Sequence, residues 1–377
     1  MRVTAYPRDP NPYQELLYAE LRARGATVGY LGEATRSHTL NLALLPIQLL
    51  LERARGTRVL HLHWVYRFVL PGRARLPWLR RLAEAWFVVL LGTARLCGVR
   101  VVWTAHNVLP HERVFADDVR ARRALLRRAS GVIVHGGETT RRLAELVPRL
   151  PPVAEIPHGP YPGVYGPVPP RERARALLGI PPAGRVLLFF GAVQDYKGVE
   201  DLLDTVAELP AGLLDRTGAR VVVAGRCSDS GLARRLHRAA ARCAGRVELR
   251  LGHVPDGQVA AYFGAADAVV LPFRSVTTSG SARLALTMGR PLVVPRLAAL
   301  ADLPDEACFR YSPGGLGAAL ERALAARSEE LAARGAAGHA GVMSWGWDDA
   351  ARATQLFLGE LAGAEPRALQ PAGSVGA

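Results

Sequence analysis

A chain of 377 residues with 49% hydrophobic and 21% charged content has material for about two folded domains, and its composition is neither that of a disordered nor of a fibrous protein. Lys and Arg number 48 against 33 Asp and Glu, a net charge of +15. The arginines are spread over many helical stretches with no recognition motif beside them, so the excess suits an anionic small substrate or an acidic membrane surface, and nucleic acid is not expected as a partner.

The N-terminus, Met1-Arg2-Val3-Thr4-Ala5, enters a strand pattern directly and does not have the form of a signal peptide. Strands are expected at Val3–Ala5, Val59–His63, Val99–Thr104, Val132–His135 and Val153–Ile156, alternating with helical stretches. Between the second and third of these, the apolar run Ala85–Leu91 is too short to cross a bilayer. A basic amphipathic segment around it, with Arg73, Arg75, Arg80 and Arg81 beside Trp78, Trp86 and Phe87, has two readings: an interfacial helix, or a helix with one core face and one solvated face. His61 and His63, two apart, share one face of their strand, and no third ligand has the spacing of a metal site. His106 and Asn107 stand at the carboxyl end of the next strand, where a histidine could act as acid or base, hold a sugar hydroxyl, or simply cap the turn.

Prolines at 157, 160, 162, 167, 169 and 170 then mark a connection, with His158 in it. A second series of strands follows at Val186–Phe190, Val221–Ala224, Val247–Leu251, Ala268–Leu271 and Pro291–Val294. The helix after the first of them carries Val199, Leu202, Leu203 and Val206 on one face. These elements predict an α/β fold of two Rossmann-like, doubly wound domains: 1–163 and 164–344, a last helix over 345–362 and a flexible tail over 363–377. Ligands of such folds lie at the carboxyl ends of the strands, and here an interdomain cleft is the expected place. The four cysteines, Cys97, Cys227, Cys243 and Cys308, form no C-x-x-C pair and read as reduced cytosolic thiols, which suits a cytoplasmic location.

Two segments of the second half read as anion sites. After Val186–Phe190 come Gly191, where backbone can approach a ligand, and then Gln194 and Lys197, the only lysine in the chain. An ammonium is a compact point charge, unlike the broad planar guanidinium that this sequence uses everywhere else. The spacing is not that of a P-loop. After Ala268–Leu271, the run Thr278-Ser279-Gly280-Ser281 opens a helix, leaving N–H groups that favour an anion or, more simply, an ordinary N-cap.

Taken in order, Asn11-Pro12-Tyr13, His106-Asn107-Val108-Leu109-Pro110-His111-Glu112, Pro157-His158-Gly159, Phe190-Gly191 through Tyr196-Lys197-Gly198, Ala265-Ala266-Asp267, and Thr278-Ser279-Gly280-Ser281 through Gly289-Arg290-Pro291 resemble the nucleotide-sugar glycosyltransferases of the GT-B fold, most closely family 4 and its bacterial mannosyltransferase-like relatives. The resemblance runs over about residues 1–360. It implies a UDP-, GDP- or dTDP-sugar donor held by the C-terminal domain, with Lys197 on the diphosphate and the backbone near Ser279–Ser281 around the distal phosphate. It implies an acceptor, small or lipid-linked, held by the N-terminal domain through residues such as Tyr13, His63, Asn107 and His158, with His106 near the transferred sugar. The last helix would cross back to the N-terminal domain. A lipid-linked acceptor would bring peripheral contact with the inner membrane face. No metal or other cofactor is implied, since Lys and helix dipoles neutralise the leaving group. Two departures stand out: Gln194 occupies a position that is Arg in many relatives, and the E-x7-E pair is replaced near Val276 and Leu284. A catalytically silent sugar-nucleotide binder and a sugar-nucleotide epimerase are therefore the alternatives.

Overall fold

The computed structural model describes residues 1–363 apart from 10, 66, 67, 73–75 and 111. His111, Arg73, Arg75 and the tail expected after 363 lie outside the described residues, save for Gly363 itself. The chain divides into two compact units, one formed by Met1–Pro157 with the helix that begins at Trp347, the other by His158–Gly346.

In the first unit six parallel strands form one sheet: β1 (Arg2–Tyr6), β2 (Thr27–Tyr30), β3 (Val59–Leu62), β4 (Arg100–Thr104), β5 (Gly131–Val134) and β6 (Val153–Glu155), in the spatial order β2-β1-β3-β4-β5-β6. The central strands are short β-branched runs buried on both faces, as a parallel sheet covered by helices requires. Asn11-Pro12-Tyr13 starts the first helix, Pro12–Ala23, by local chemistry. The Asn11 carboxamide accepts from Tyr13 N at 3.0 Å, and Pro12 takes the first helical position, where no N–H is needed. Leu17, Tyr18 and Leu21 then face the sheet. The last helix, Trp347–Leu361, buries Trp347, Ala350, Ala351, Thr354 and Leu358 in this same unit. Gly131 makes room for it, because a side chain there would meet Phe357 and Leu361 at 2.6 and 2.5 Å.

The second unit repeats the design with β7 (Val186–Phe190), β8 (Arg220–Ala224), β9 (Val247–Arg250), β10 (Ala268–Val270), β11 (Leu292–Pro295) and β12 (Cys308–Tyr311), ordered β12-β11-β10-β7-β8-β9 and parallel throughout. Strand order reverses between β7 and β10, so the loops leaving these two strands open a crevice at their carboxyl ends. The other ends of the same two strands are fastened by Arg175, a fully buried guanidinium. It donates to the carbonyls of Ala265 (3.1 Å), Pro182 (2.7 Å) and Gly184 (3.0 Å) and pairs with Asp267 at 2.9 Å, while Asp267 accepts from Val186 N at 2.7 Å. Val199, Leu202, Leu203 and Val206 are the buried residues of the helix Val199–Glu208 that follows β7.

Two strands, β2 and β12, were not anticipated from the sequence. Both are sheet edges, and only two of their eight residues are buried. The unit boundary falls after Pro157, six residues before the expected 163. The reason is that the segment 158–161 is tied into the second unit, where Tyr161 N donates to Thr287 Oγ1 at 3.2 Å. In the basic amphipathic segment Phe87 is buried and Trp86 donates to the Leu42 carbonyl at 2.7 Å, whereas Trp78 and Leu82 are exposed.

Candidate functional site

The loop after β7 carries the lone lysine into the crevice. Gly191 leaves the strand with φ +121°, its N–H bonded to the Ala224 carbonyl at 3.0 Å. A single 3-10 turn, Asp195–Lys197, follows and is stopped by Gly198 at φ +69°. Gly198 must lack a side chain, since a Cβ would lie 2.0 Å from the Pro272 carbonyl oxygen in the loop after β10. Arg274, from that second loop, stitches the two together: its N–H donates to the Tyr196 carbonyl at 2.8 Å, and its guanidinium holds both oxygens of Asp201 at 2.7 and 2.6 Å.

At the end of the second loop the helix Gly280–Thr287 begins. Ser279 caps it, its hydroxyl accepting from Ala282 N at 3.1 Å, and the N–H groups of the first turn have no partner within the helix. This helix start meets the lysine loop at one point. A side chain on Gly191 would stand 2.8 Å from Ser281 Oγ and 3.3 Å from Lys197 Nζ, so the missing Cβ leaves a notch bordered by a hydroxyl and an ammonium. Among the described residues, Lys197 has no ion-pair partner. The acids nearest it in sequence are taken by arginines: Asp195 and Glu200 by Arg235 at 2.6 and 3.2 Å, Asp201 by Arg274. Burial without a counter-ion lowers the Lys197 pKa from 10.5 to about 8. A small notch with a positive charge, backbone donors and a hydroxyl fits a phosphate group.

The first unit gathers a different set. His61 lies on β3, His63 just past it, His106 past β4 and His135 past β5, three adjacent strands that each run into an imidazole. The rings of His61 and His63 are 4.2 Å apart, and His63 Nδ1 is 3.1 Å from His106 Nε2, which continues to His135 at 3.3 Å from His106 Nδ1. Trp64 stacks on His106 at 4.2 Å and 13°, and Tyr13 sets its ring edge-on to His106 at 4.6 Å and to Trp347 at 5.1 Å. Burial pulls His61 down to about 3 and holds His63 well below the usual imidazole range. Among the described residues no group of His, Cys, Asp and Glu is arranged to hold a metal ion.

The structure thus brings Gly191, Lys197, Gly280 and Ser281 together in the second unit, and Tyr13, His63 and His106 together in the first. Gln194 starts the 3-10 turn, its carbonyl accepting from Lys197 N at 3.0 Å. The Thr278 and Ser279 hydroxyls are committed within the loop, Thr278 to the Thr277 carbonyl at 2.8 Å. Asn107 is partly exposed at the end of β4. His158, expected among the acceptor residues, belongs to the second unit: its Nε2 is 3.2 Å from the Tyr161 hydroxyl, which would lie 2.9 Å from a Cβ on Gly280. Val276 and Leu284, at the places of the missing carboxylates, are buried apolar side chains. Sequence reasoning missed Tyr18, Trp64 and His135. The signal for His135 was present, a third strand ending in histidine; Tyr18 gave none, because the groups it joins are 43 and 45 residues away.

Comparison with known proteins accords with this geometry. Residues 184–328 match the family described as glycosyl transferases group 1. The chain is 32% identical over 252 residues to the GDP-mannose:glycolipid 4-beta-D-mannosyltransferase of Xanthomonas campestris pv. campestris, a match covering 66% of this chain and 64% of that protein, just under two thirds of its length. It is 38% identical over 202 residues to the D-inositol 3-phosphate glycosyltransferase of Streptomyces griseus subsp. griseus, covering 49% and 41% of the two chains. Among solved structures, sucrose-phosphate synthase from Thermosynechococcus elongatus superposes with a TM-score of 0.73 at 18% identity, covering 97% of this chain and 100% of that one. The Anabaena protein HepE in complex with UDP and glucose gives 0.70 at 16% identity, covering 96% and 100%. The two-unit architecture is therefore the GT-B fold. Within the second unit, residues 184–328 are similar to the glycosyl transferases group 1 family.

Proposed function

We propose that the protein transfers a hexose-type sugar from a nucleoside-diphosphate sugar to an acceptor hydroxyl, with its second unit as the donor-binding half. The observation that carries this reading is the notch at Gly191, where the unpaired Lys197 ammonium and Ser281 at the start of a helix face one small space. As the acceptor oxygen bonds to the anomeric carbon, the bond to the diphosphate breaks, negative charge collects on the departing phosphate, and the acceptor's hydroxyl proton passes to the freed phosphate oxygen. Lys197 and the first-turn N–H groups stabilise that charge without a metal ion. Donors linked to UDP, GDP or dTDP all carry the diphosphate that this site would hold. The second reading, a sugar-nucleotide binder without turnover, is favoured by Val276 and Leu284 in place of carboxylates.

A lipid-linked acceptor suits the first unit. Leu40, Ile47, Leu50, Leu51, Trp78 and Leu82 are exposed on the helices His38–Ala43, Leu45–Ala54 and Trp78–Leu96, with Arg36 and Arg81 exposed nearby. No helix among the described residues is long and apolar enough to cross a membrane, so contact would be peripheral. The Xanthomonas relative is named for a glycolipid acceptor. Incubation with a panel of nucleotide sugars and membrane lipid extracts, followed by mass spectrometry of the lipids, tests the activity. A glycosylated lipid supports transfer, whereas donor binding with no product from lipid or soluble acceptors selects the silent reading. Sedimentation with anionic but not neutral vesicles is expected, and failure to sediment with either removes the membrane contact.

A further inference from the structure

Four histidines of the first unit, His61, His63, His106 and His135, stand in a single file of hydrogen bonds, and one end of that file can only accept. His135 Nδ1 lies 2.9 Å from the Ile156 carbonyl oxygen, so this nitrogen bears the hydrogen. A neutral imidazole has one N–H and one bare nitrogen, which makes His135 Nε2 an acceptor and His106 Nδ1, at 3.3 Å, its donor. The same step repeats down the line. His63 Nδ1 donates to His106 Nε2 at 3.1 Å, the Tyr18 hydroxyl donates to His63 Nε2 at 2.6 Å, His61 Nδ1 donates to the Tyr18 oxygen at 2.9 Å, and the Thr104 hydroxyl donates to His61 Nε2 at 2.8 Å. Every link is satisfied with one proton per ring.

We infer that Thr104, His61, Tyr18, His63, His106 and His135 are a one-way hydrogen-bond chain anchored on Ile156, holding four buried imidazoles as neutral Nδ1–H tautomers, with Tyr18 as the positioning residue that sets His63 and, through it, His106. An added proton could enter only if every link on the Thr104 side reversed together, and two could not enter without an N–H facing an N–H. Burial disfavours a charge at His61 and His63. Tyr13 and Arg22, from the first helix, and Tyr30, from β2, are the outside titratable groups acting on Tyr18, and no carboxylate acts on His61 or His63. The acids that open the last helix, Asp348 and Asp349, are paired with Arg24 and Arg352. Four clustered histidines usually suggest a metal site, but here the lone pairs are spent on neighbouring N–H and O–H groups. His106 therefore presents an uncharged ring, fixed in place and covered on one face by Trp64, that acts by position and not as a base. This holds whether or not the protein is a transferase.

Nitrogen-15 NMR of the histidine rings in the full chain tests the inference, with signals assigned by single His→Gln variants. Four of the ten histidines are expected as Nδ1–H tautomers whose shifts do not move between about pH 8 and pH 5, the window in which an ordinary imidazole titrates. Tyr18→Phe keeps the ring and removes the hydroxyl, so His63 should lose its fixed tautomer and begin to titrate while His135 keeps Nδ1–H. Thr104→Val should free only His61. The inference is overturned if any of the four is an Nε2–H tautomer or becomes charged in that window in the unaltered protein, or if Tyr18→Phe leaves the His63 signal as it was. Should Tyr18→Phe not fold, the spectra of the unaltered protein and of Thr104→Val decide the matter.

Discussion

At Lys197 burial and function pull against each other. Buried, and with no counter-ion among the described residues, the ammonium is held at a pKa of about 8 instead of 10.5. In the unfolded chain the same group keeps its proton up to about 10.5, so between these values the unfolded state binds more protons. Its burden on stability is therefore full below about pH 8 and is relieved as pH rises toward 10.5. Lys197→Ala is accordingly expected to leave the melting temperature of the free protein unchanged or raised, measured at pH 7. An anion reverses the balance by favouring the charged form. A nucleotide sugar should bind with constant affinity below pH 8 and lose affinity above it, by at most tenfold per pH unit for one proton. Titration calorimetry from pH 6.5 to 9.5 checks this, and a flat profile would detach binding from Lys197. That this residue matters was legible in the sequence, because one lysine stood among dozens of arginines after a strand and a glycine. Its isolation from carboxylates was not legible. Asp195 and Glu200 lie within three residues of it, and only the fold shows Arg235, 35 to 40 residues away, taking both.

At the scale of elements, the crevice exists because backbone crosses backbone where side chains would collide. Gly225, at φ +149° after β8, would place a Cβ 1.9 Å from the Gly191 carbonyl oxygen. Gly225→Ala should cost on the order of 3 kcal/mol in chemical denaturation and also displace the Gly191 notch, weakening donor binding beyond the loss of stability. Arg175→Met removes the buried partner of Asp267 and frees the carbonyls of Ala265, Pro182 and Gly184, while Arg171 at 3.4 Å and Arg185 at 3.5 Å still face the carboxylate, so a loss of roughly 1–3 kcal/mol is expected in chemical denaturation. Inner strands could be read from runs such as Val186–Phe190 and Val221–Ala224, which are apolar enough to admit one interpretation. Of the four sheet edges, β6 and β9 could be read as well, but β2 and β12 could not. Thr27–Tyr30 contains a glycine and buries nothing fully, so neither alternation nor an apolar run marks it. Arg175 was equally hidden, since a helical Arg among Arg171 and Arg173 looks like a solvated face until Asp267, 92 residues on, claims it.

For the whole molecule, the chain builds two similar α/β units and returns its last helix to the first of them. Trp347 and Leu358 bury their side chains in that unit, worth roughly 3–6 kcal/mol together. Ending the chain at Gly346 should lower the melting of the first unit while leaving donor-induced stabilisation of the second intact, as scanning calorimetry with and without ligand would show. The existence of two units was legible from the repeated strand series and the prolines between them. Their boundary was not, because the bond from Tyr161 to Thr287 that assigns the segment spans 126 residues. The central claim, that the second unit holds a nucleotide-sugar diphosphate at Lys197, is tested most directly by thermal shift of the unaltered protein, Lys197→Ala and Lys197→Arg against UDP-, GDP- and dTDP-sugars. At least one donor should stabilise the unaltered protein, the shift should vanish in Lys197→Ala, and Lys197→Arg should restore only part of it. Equal stabilisation of the unaltered protein and Lys197→Ala, or none by any donor at millimolar concentration, would contradict the claim.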